Sequence, residues 1–272
     1  MRGLWISHRA AKVHTERIPH EELAPGNTII YLLPLVTLTS KYLYLLIDLL
    51  VIAVPLAASF YPKAPFYKKW KYAGPGILVT AIFFVVWDAL FTQLGVWSFN
   101  PRYITGIYVG PLPLEEVLFF VCIPYACVFT YFALNQIFEK DRLFPHQEII
   151  SSLLVVVLLI AGMYHKDKLY TGSSFLLLAI FLAFQMLKLR PRYMGRFYFA
   201  FGVLLIPFLV VDGILTGSFI DEEIVRYNDA QNLGWRLGTI PVEDIFYAML
   251  LMVMPITIWE WCEDFFYFRS KR

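Results

Sequence analysis

A chain of 272 residues that is 59% hydrophobic and 16% charged, with a mean hydropathy of +0.61, takes lipid as its solvent. Its net charge of +2 is spread over short polar segments and forms no continuous basic face, which excludes nucleic acid as a partner. Three cysteines, two of them within one apolar stretch, imply neither a disulfide framework nor a metal set.

A membrane span needs roughly 20 mostly apolar residues, because the hydrocarbon core is about 30 Å thick and offers no water to a bare backbone. The first forty residues are polar and contain His and Arg, apart from a short apolar run at 28–39. They lack the apolar core and cleavage site of a secretory signal, and residues 1–41 are expected to form an N-terminal or interfacial tail. Seven spanning windows follow: Tyr42–Tyr61, Gly74–Trp97, Leu112–Asn135, Ile149–Tyr164, Gly172–Leu189, Phe197–Thr216 and Ile240–Trp261. The fold predicted is all-α, a polytopic membrane bundle of about seven helices.

Lys and Arg gather on the cytoplasmic side of spans. The loops after windows one, three and five, with the C-terminus, hold thirteen such residues, and the opposite loops hold five (Arg102, Lys166, Lys168, Arg226, Arg236). This predicts a cytoplasmic C-terminus and an N-terminus outside the cell membrane, although five further basic residues precede the first window.

The chain repeats itself. Val86-Trp87-Asp88-Ala89-Leu90-Phe91-Thr92 matches Val210-Val211-Asp212-Gly213-Ile214-Leu215-Thr216, and Leu112-Pro113-Leu114-Glu115-Glu116 matches Ile240-Pro241-Val242-Glu243-Asp244. The offsets, 124 and 128, belong to one register with four residues inserted. Spans one to three therefore recur as spans five to seven. Residues 42–148 form the first repeat, 149–171 a linker helix and 172–272 the second repeat. An even number of spans separates equivalent helices, so a pseudo-two-fold axis along the membrane normal is expected.

Pro113 and Pro241 suit the first turn of a helix, where a missing N–H costs nothing. Glu115, Glu116, Glu243 and Asp244 then fall in those first turns, where acids complement the helix dipole. The duplication, with a mid-span Asp88 or Asp212 in each copy, points beyond capping, because intramembrane carboxylates are costly and mark function. Neither Asp has a basic residue within a helical turn. Glu115 and Glu243 are their expected partners. Carboxylates crowded in a dry site cannot all ionise, so a proton donor and an acceptor coexist. Trp87, Trp97, Phe91, Phe119, Phe120, Phe246 and Tyr247 lie near these acids. Singly such residues are core or interface packing; as a group their π faces can stabilise a cation. Asp48, lacking a counterpart in the second repeat, and His165, at a helix end beside Lys166, are weaker candidates. Gly74-Pro75-Gly76 is no dinucleotide fingerprint, since no strand precedes it and a third glycine is missing.

The duplicated Pro-Leu-Glu-Glu and Pro-Val-Glu-Asp motifs, with the Trp-Asp before the first, resemble the membrane-embedded lycopene cyclases, in a form that joins both subunit-like halves in one chain over about 42–264. Val211 replaces the second Trp. The resemblance implies a non-redox isomerisation of lycopene end groups to β-rings, giving γ- and then β-carotene. Glu115, Glu116, Glu243 and Asp244 would supply acid and base, with Asp88 and Asp212 positioning or reprotonating them. It implies a carotenoid substrate in membrane lipid and association with other carotenoid enzymes. No metal or cofactor is expected, a flavin on an unrecognised surface being the open alternative. A carotenoid end-group hydratase and a proton-coupled transporter are the competing readings. A retinal protein is disfavoured by the absence of a Schiff-base lysine in the last span, and prenyl transfer by the absence of an Asp-rich diphosphate motif.

Overall fold

The computed structural model describes residues 40–270, with side chains to residue 265, so the expected tail lies almost wholly outside the described residues. Each predicted window becomes a helix: α1 Leu43–Ala58, α2 Trp70–Gln93, α3 Leu114–Ile137, α4 Gln147–Tyr164, α5 Leu169–Phe184, α6 Met194–Leu215 and α7 Val242–Ser270. Six of these helical stretches are long and apolar enough to cross a membrane. α1, with 16 residues, rises about 24 Å and falls short of a full span. α2, α4, α5 and α6 begin earlier than hydropathy predicts. The first turn of α4 carries Gln147 and Glu148, polar residues that an apolar window omits although a helix start welcomes an acid. α5 is extended by a π-helical turn, Gln185–Leu189.

Among the described residues six very short strands also form in the loops: β1 Trp97–Phe99, β2 Tyr108–Val109, β3 Leu112–Pro113, β4 Val225–Tyr227, β5 Arg236–Leu237 and β6 Ile240–Pro241. Runs of two or three residues are too short to show alternation in sequence. β2–β3 and β5–β6 are hairpins at equivalent places in the two repeats, while β1 pairs antiparallel with β4 across them.

That pairing carries the symmetry. Trp97, Ser98 and Phe99 face Tyr227, Arg226 and Val225, so residues 128 apart exchange places about the Ser98–Arg226 pair. The flanking bonds obey the same operation. Asn100 N donates to Ile224 O and Asn228 N to Val96 O, both at 2.8 Å; the Asn100 and Asn228 amides reach Glu223 O and Gly95 O, both at 3.1 Å. The inserted residues fall where Ile224 N returns to Leu215 O while Val96 N returns to Phe91 O.

α3 and α7 meet at the centre, and each repeat's first helix lies on its own last one, α1 on α3 and α5 on α7. The middle helices reach across: α2 packs on α7 as well as on its own repeat's α3, and α6 packs on α3, with α4 against α5 on the periphery. The two crossings differ. α2 turns small buried residues, Ala73, Gly76, Thr80 and Ala81, toward its neighbours, and small faces let helix backbones approach. A Cβ on Gly76 would lie 2.5 Å from the Pro255 carbonyl of α7. The equivalent α6 positions are Phe197, Ala200, Leu204 and Leu205, and there the helices stand apart.

Candidate active site

The two helix starts that bear the acids are set by their hairpins. Gly110 and Gly238 open the turns at φ 63° and 66°, a left-handed conformation that a Cβ disfavours. Pro113 then sits in extended backbone immediately before α3, one residue earlier than the first-turn position expected, and Pro241 holds the matching place in β6 before α7. Both prolines are hairpin residues first, paired with Tyr108 and Arg236.

Glu115 and Glu243, fully buried, turn back toward their own loops. Glu115 Oε1 accepts from Thr105 N and Glu243 Oε1 from Leu233 N, each at 2.7 Å, and Thr171 Oγ1 also donates to Glu243 at 2.5 Å. Their neighbours Glu116 and Asp244 turn inward. Tyr44 of α1 donates to Glu116 Oε2 at 2.6 Å, and Tyr170 of α5 donates to Asp244 Oδ1. The mid-helix acids meet this second pair: Asp88 neighbours Glu116, and Asp212 neighbours Asp244 and Glu116. The expected partnerships with Glu115 and Glu243 are therefore replaced. One helical step of about 100° separates adjacent residues, so the two acids of each motif cannot serve the same side.

Asp88, Glu116 and Asp212 line one small chamber of about 50 Å³, together with Tyr44, Trp97, Phe119, Tyr170, Tyr227 and Tyr247. The two repeats thus contribute to one enclosure instead of two. None of the salt bridges reaches it among the described residues; they lie in the loops and at the α2–α7 end. Tyr227, in the loop strand β4, has its phenol held well above the ordinary value by burial first and then by Asp244 and Asp212, so it remains an O–H donor facing Asp244.

Beside the chamber is an apolar cavity of about 230 Å³ between α1, α3, α6 and α7. Phe119 and Asp212 belong to both walls. Its other lining is hydrocarbon or aromatic apart from Cys127 and Thr130, and includes Val51, Phe201, Phe208, Val211 and Ala248. Val51, Pro55, Leu204 and Phe208 are half-exposed, which opens the cavity sideways between α1 and α6. Asp212 is thereby a carboxyl group at the head of an apolar slot, backed by a polar one.

Of the seven aromatics singled out in the sequence, Trp97, Phe119 and Tyr247 line the chamber. Trp87 packs on Tyr247, Phe84 and Phe91; Phe91 on Trp97; Phe120 on Phe84; Phe246 on Phe175. Trp87, Phe91 and Phe120 form the layer behind it. Sequence reasoning missed Tyr44, Tyr170 and Tyr227, and ranked low Asp48, which is buried close to Glu116 with neither oxygen hydrogen-bonded among the described residues. The signal available was an offset of 126 that pairs Tyr44 with Tyr170 and Asp48 with Ser174. Among the described residues no group of three or more His, Cys, Asp or Glu is arranged to hold a metal ion.

The family model described as Lycopene cyclase matches residues 41–134 and 167–262, one segment in each repeat. A curated relative, the bifunctional lycopene cyclase/phytoene synthase of Aspergillus oryzae (strain ATCC 42149 / RIB 40), is 23% identical over 161 residues, covering 57% of this chain and 24% of the relative. The chain thus spans about a quarter of that protein's length. No solved structure matches it.

Proposed function

The chain belongs to the lycopene cyclase family, and from that premise we propose that it is a lycopene β-cyclase, closing the ψ end groups of a linear carotene to β-rings in the membrane. The observation that carries the reading is Asp212, placed where an apolar slot meets a chamber of acids and phenols.

In the proposed reaction an end group enters the slot and the Asp212 carboxylic acid protonates its terminal alkene. A tertiary cation results. The neighbouring alkene attacks it, forming the ring carbon–carbon bond and moving the positive charge within the ring. Glu116, as carboxylate, removes a ring proton and leaves the ring double bond. One proton enters and one leaves, so substrate and product are isomers and no redox cofactor is called for by the balance. Phe119, Phe201 and Phe208 offer π faces to the cation, whereas water or an exposed anion would capture it. Asp244, served by Tyr170 and Tyr227, and Asp88, beside Glu116, return protons to the reacting pair. Glu115 and Glu243 act as positioning residues through their loop bonds. Residues 42–148 and 169–272 are two halves of one site joined by α4; the boundary expected at 172 moves to the start of α5, because Tyr170 and Thr171 bind the acids of the second half. With the C-terminus in the cytoplasm, as the basic residues favour, the chamber lies in the outer half of the bilayer.

The test is expression in bacteria that accumulate lycopene, with pigments resolved by chromatography and mass spectrometry. γ- or β-carotene at unchanged mass is the expected product. A product heavier by one water would identify a hydratase instead, and unaltered lycopene beside verified membrane insertion would overturn the proposal.

A further inference from the structure

The pseudo-symmetry that gathers two sets of acids predicts two apolar slots, one beside Asp212 and an equivalent beside Asp88. The second is filled. Val211 and Ala248 in the open slot correspond to Trp87 and Phe120 on the other side, and both are buried. The Trp87 ring stands 5.1 Å from Tyr247 and 5.5 Å from Phe84; Phe84 stacks on Phe120 at 5.8 Å and meets Tyr247 edge-on at 4.9 Å. The backbone closes the same space. Where α2 presses Gly76 on the Pro255 carbonyl, the equivalent residues are Ala200 and Cys127, and Cys127 lines the open slot.

We infer that the site holds one hydrocarbon end at a time, in the slot beside Asp212, and that a substrate cyclised at both ends must leave the slot and turn round in the lipid between the two reactions. This rests on the cyclase reading above. A conjugated polyene is stiff and extended, so its far end cannot bend back to the slot that its near end occupies. The monocyclic carotene is then a free intermediate. Val211 and Ala248 set the room for the end group, and the Asp88 side contributes acid groups without a substrate seat.

Two measurements test the inference on the whole 272-residue chain in membranes. In the first, labelled lycopene is converted in the presence of excess unlabelled monocyclic carotene. Release predicts that label collects in the monocyclic pool while the early bicyclic product is mostly unlabelled. Label passing directly into the bicyclic product, undiluted, overturns the inference. In the second, the closed side's residues are placed in the open slot as V211W together with A248F. A fall in turnover of about tenfold or more, with unchanged protein in the membrane, is expected, since hydrophobic pockets discriminate at that level over a methylene or two. Turnover at the unsubstituted rate overturns the inference, and if the double variant fails to insert, the label experiment decides alone. A chain that cyclises nothing would fail the cyclase reading itself, whereas cyclisation without dilution fails only the inference.

Discussion

At the scale of single residues, the acids of this chain divide by what lies in front of them. Asp212 faces the apolar slot and Asp88 does not, although the two are equivalent in the repeat. Asp212→Asn is therefore expected to reduce product formation by about 10²–10⁴-fold, the scale of a lost general acid, and Asp88→Asn by much less. Equal losses, measured as cyclised pigment per unit of membrane protein, would refute that division. Glu115 makes a different case. It answers a backbone N–H at 2.7 Å, so Glu115→Ala should cost about 1–3 kcal/mol of stability, while Glu115→Gln, which keeps an acceptor oxygen, should cost much less. Thermal unfolding in detergent compares them. The motif singled out these carboxylates, and the duplicated register showed which ones correspond. It could not assign neighbours, because Glu115 and Glu116 are adjacent in sequence yet point to a loop and to a chamber. Tyr44 and Tyr170 stayed hidden for a related reason: a buried tyrosine in an apolar helix looks like packing until its O–H is seen to meet a carboxylate.

At the scale of elements, hydropathy located the seven long helices of the described residues, because each must present an apolar surface along nearly its whole length. The ends were less legible, since helix starts such as Gln147–Glu148 are polar by design, and the two-residue ladders left no periodic trace. The difference between α2 and α6 is written in side-chain size. Gly76→Leu should push α2 from α7, because even a Cβ there would meet the Pro255 carbonyl at 2.5 Å, whereas Gly202→Leu on α6 has open space. The expected result is a clear loss of melting temperature for the first and a small change for the second. Similar melting temperatures would mean that the α2–α7 contact is not what fixes this side.

For the whole molecule, the crossing of middle helices matters more than the covalent link. α2 rests on the other repeat's last helix and α6 on the first repeat's, so neither repeat buries its own surfaces alone. A chain cut between Glu139 and Lys140, both exposed in the connection between α3 and α4, is expected to regain cyclisation when the two pieces are expressed together and to show none from either piece. Activity from a single piece would separate the repeats into independent sites. Bipartite organisation was plain from the sequence, whereas the merging of two acid sets into one chamber was not, because offsets report correspondence and say nothing of distance.

The Ser98–Arg226 pair lies where the two halves meet their own images. In an assembly of two identical halves, whatever occupies that position must face itself. A guanidinium would oppose a guanidinium, and like charges directly opposite one another in a ladder repel. A single chain escapes this constraint: one copy can keep Arg226, tied to Glu222 at 2.5 Å, while the other carries a neutral serine. Ser98→Arg restores the self-encounter and should weaken the strap between halves, lowering the melting temperature, with Ser98→Gln as the uncharged comparison. Joining two like halves in one chain thus does more than tether them, for it frees the one place where identity is a handicap.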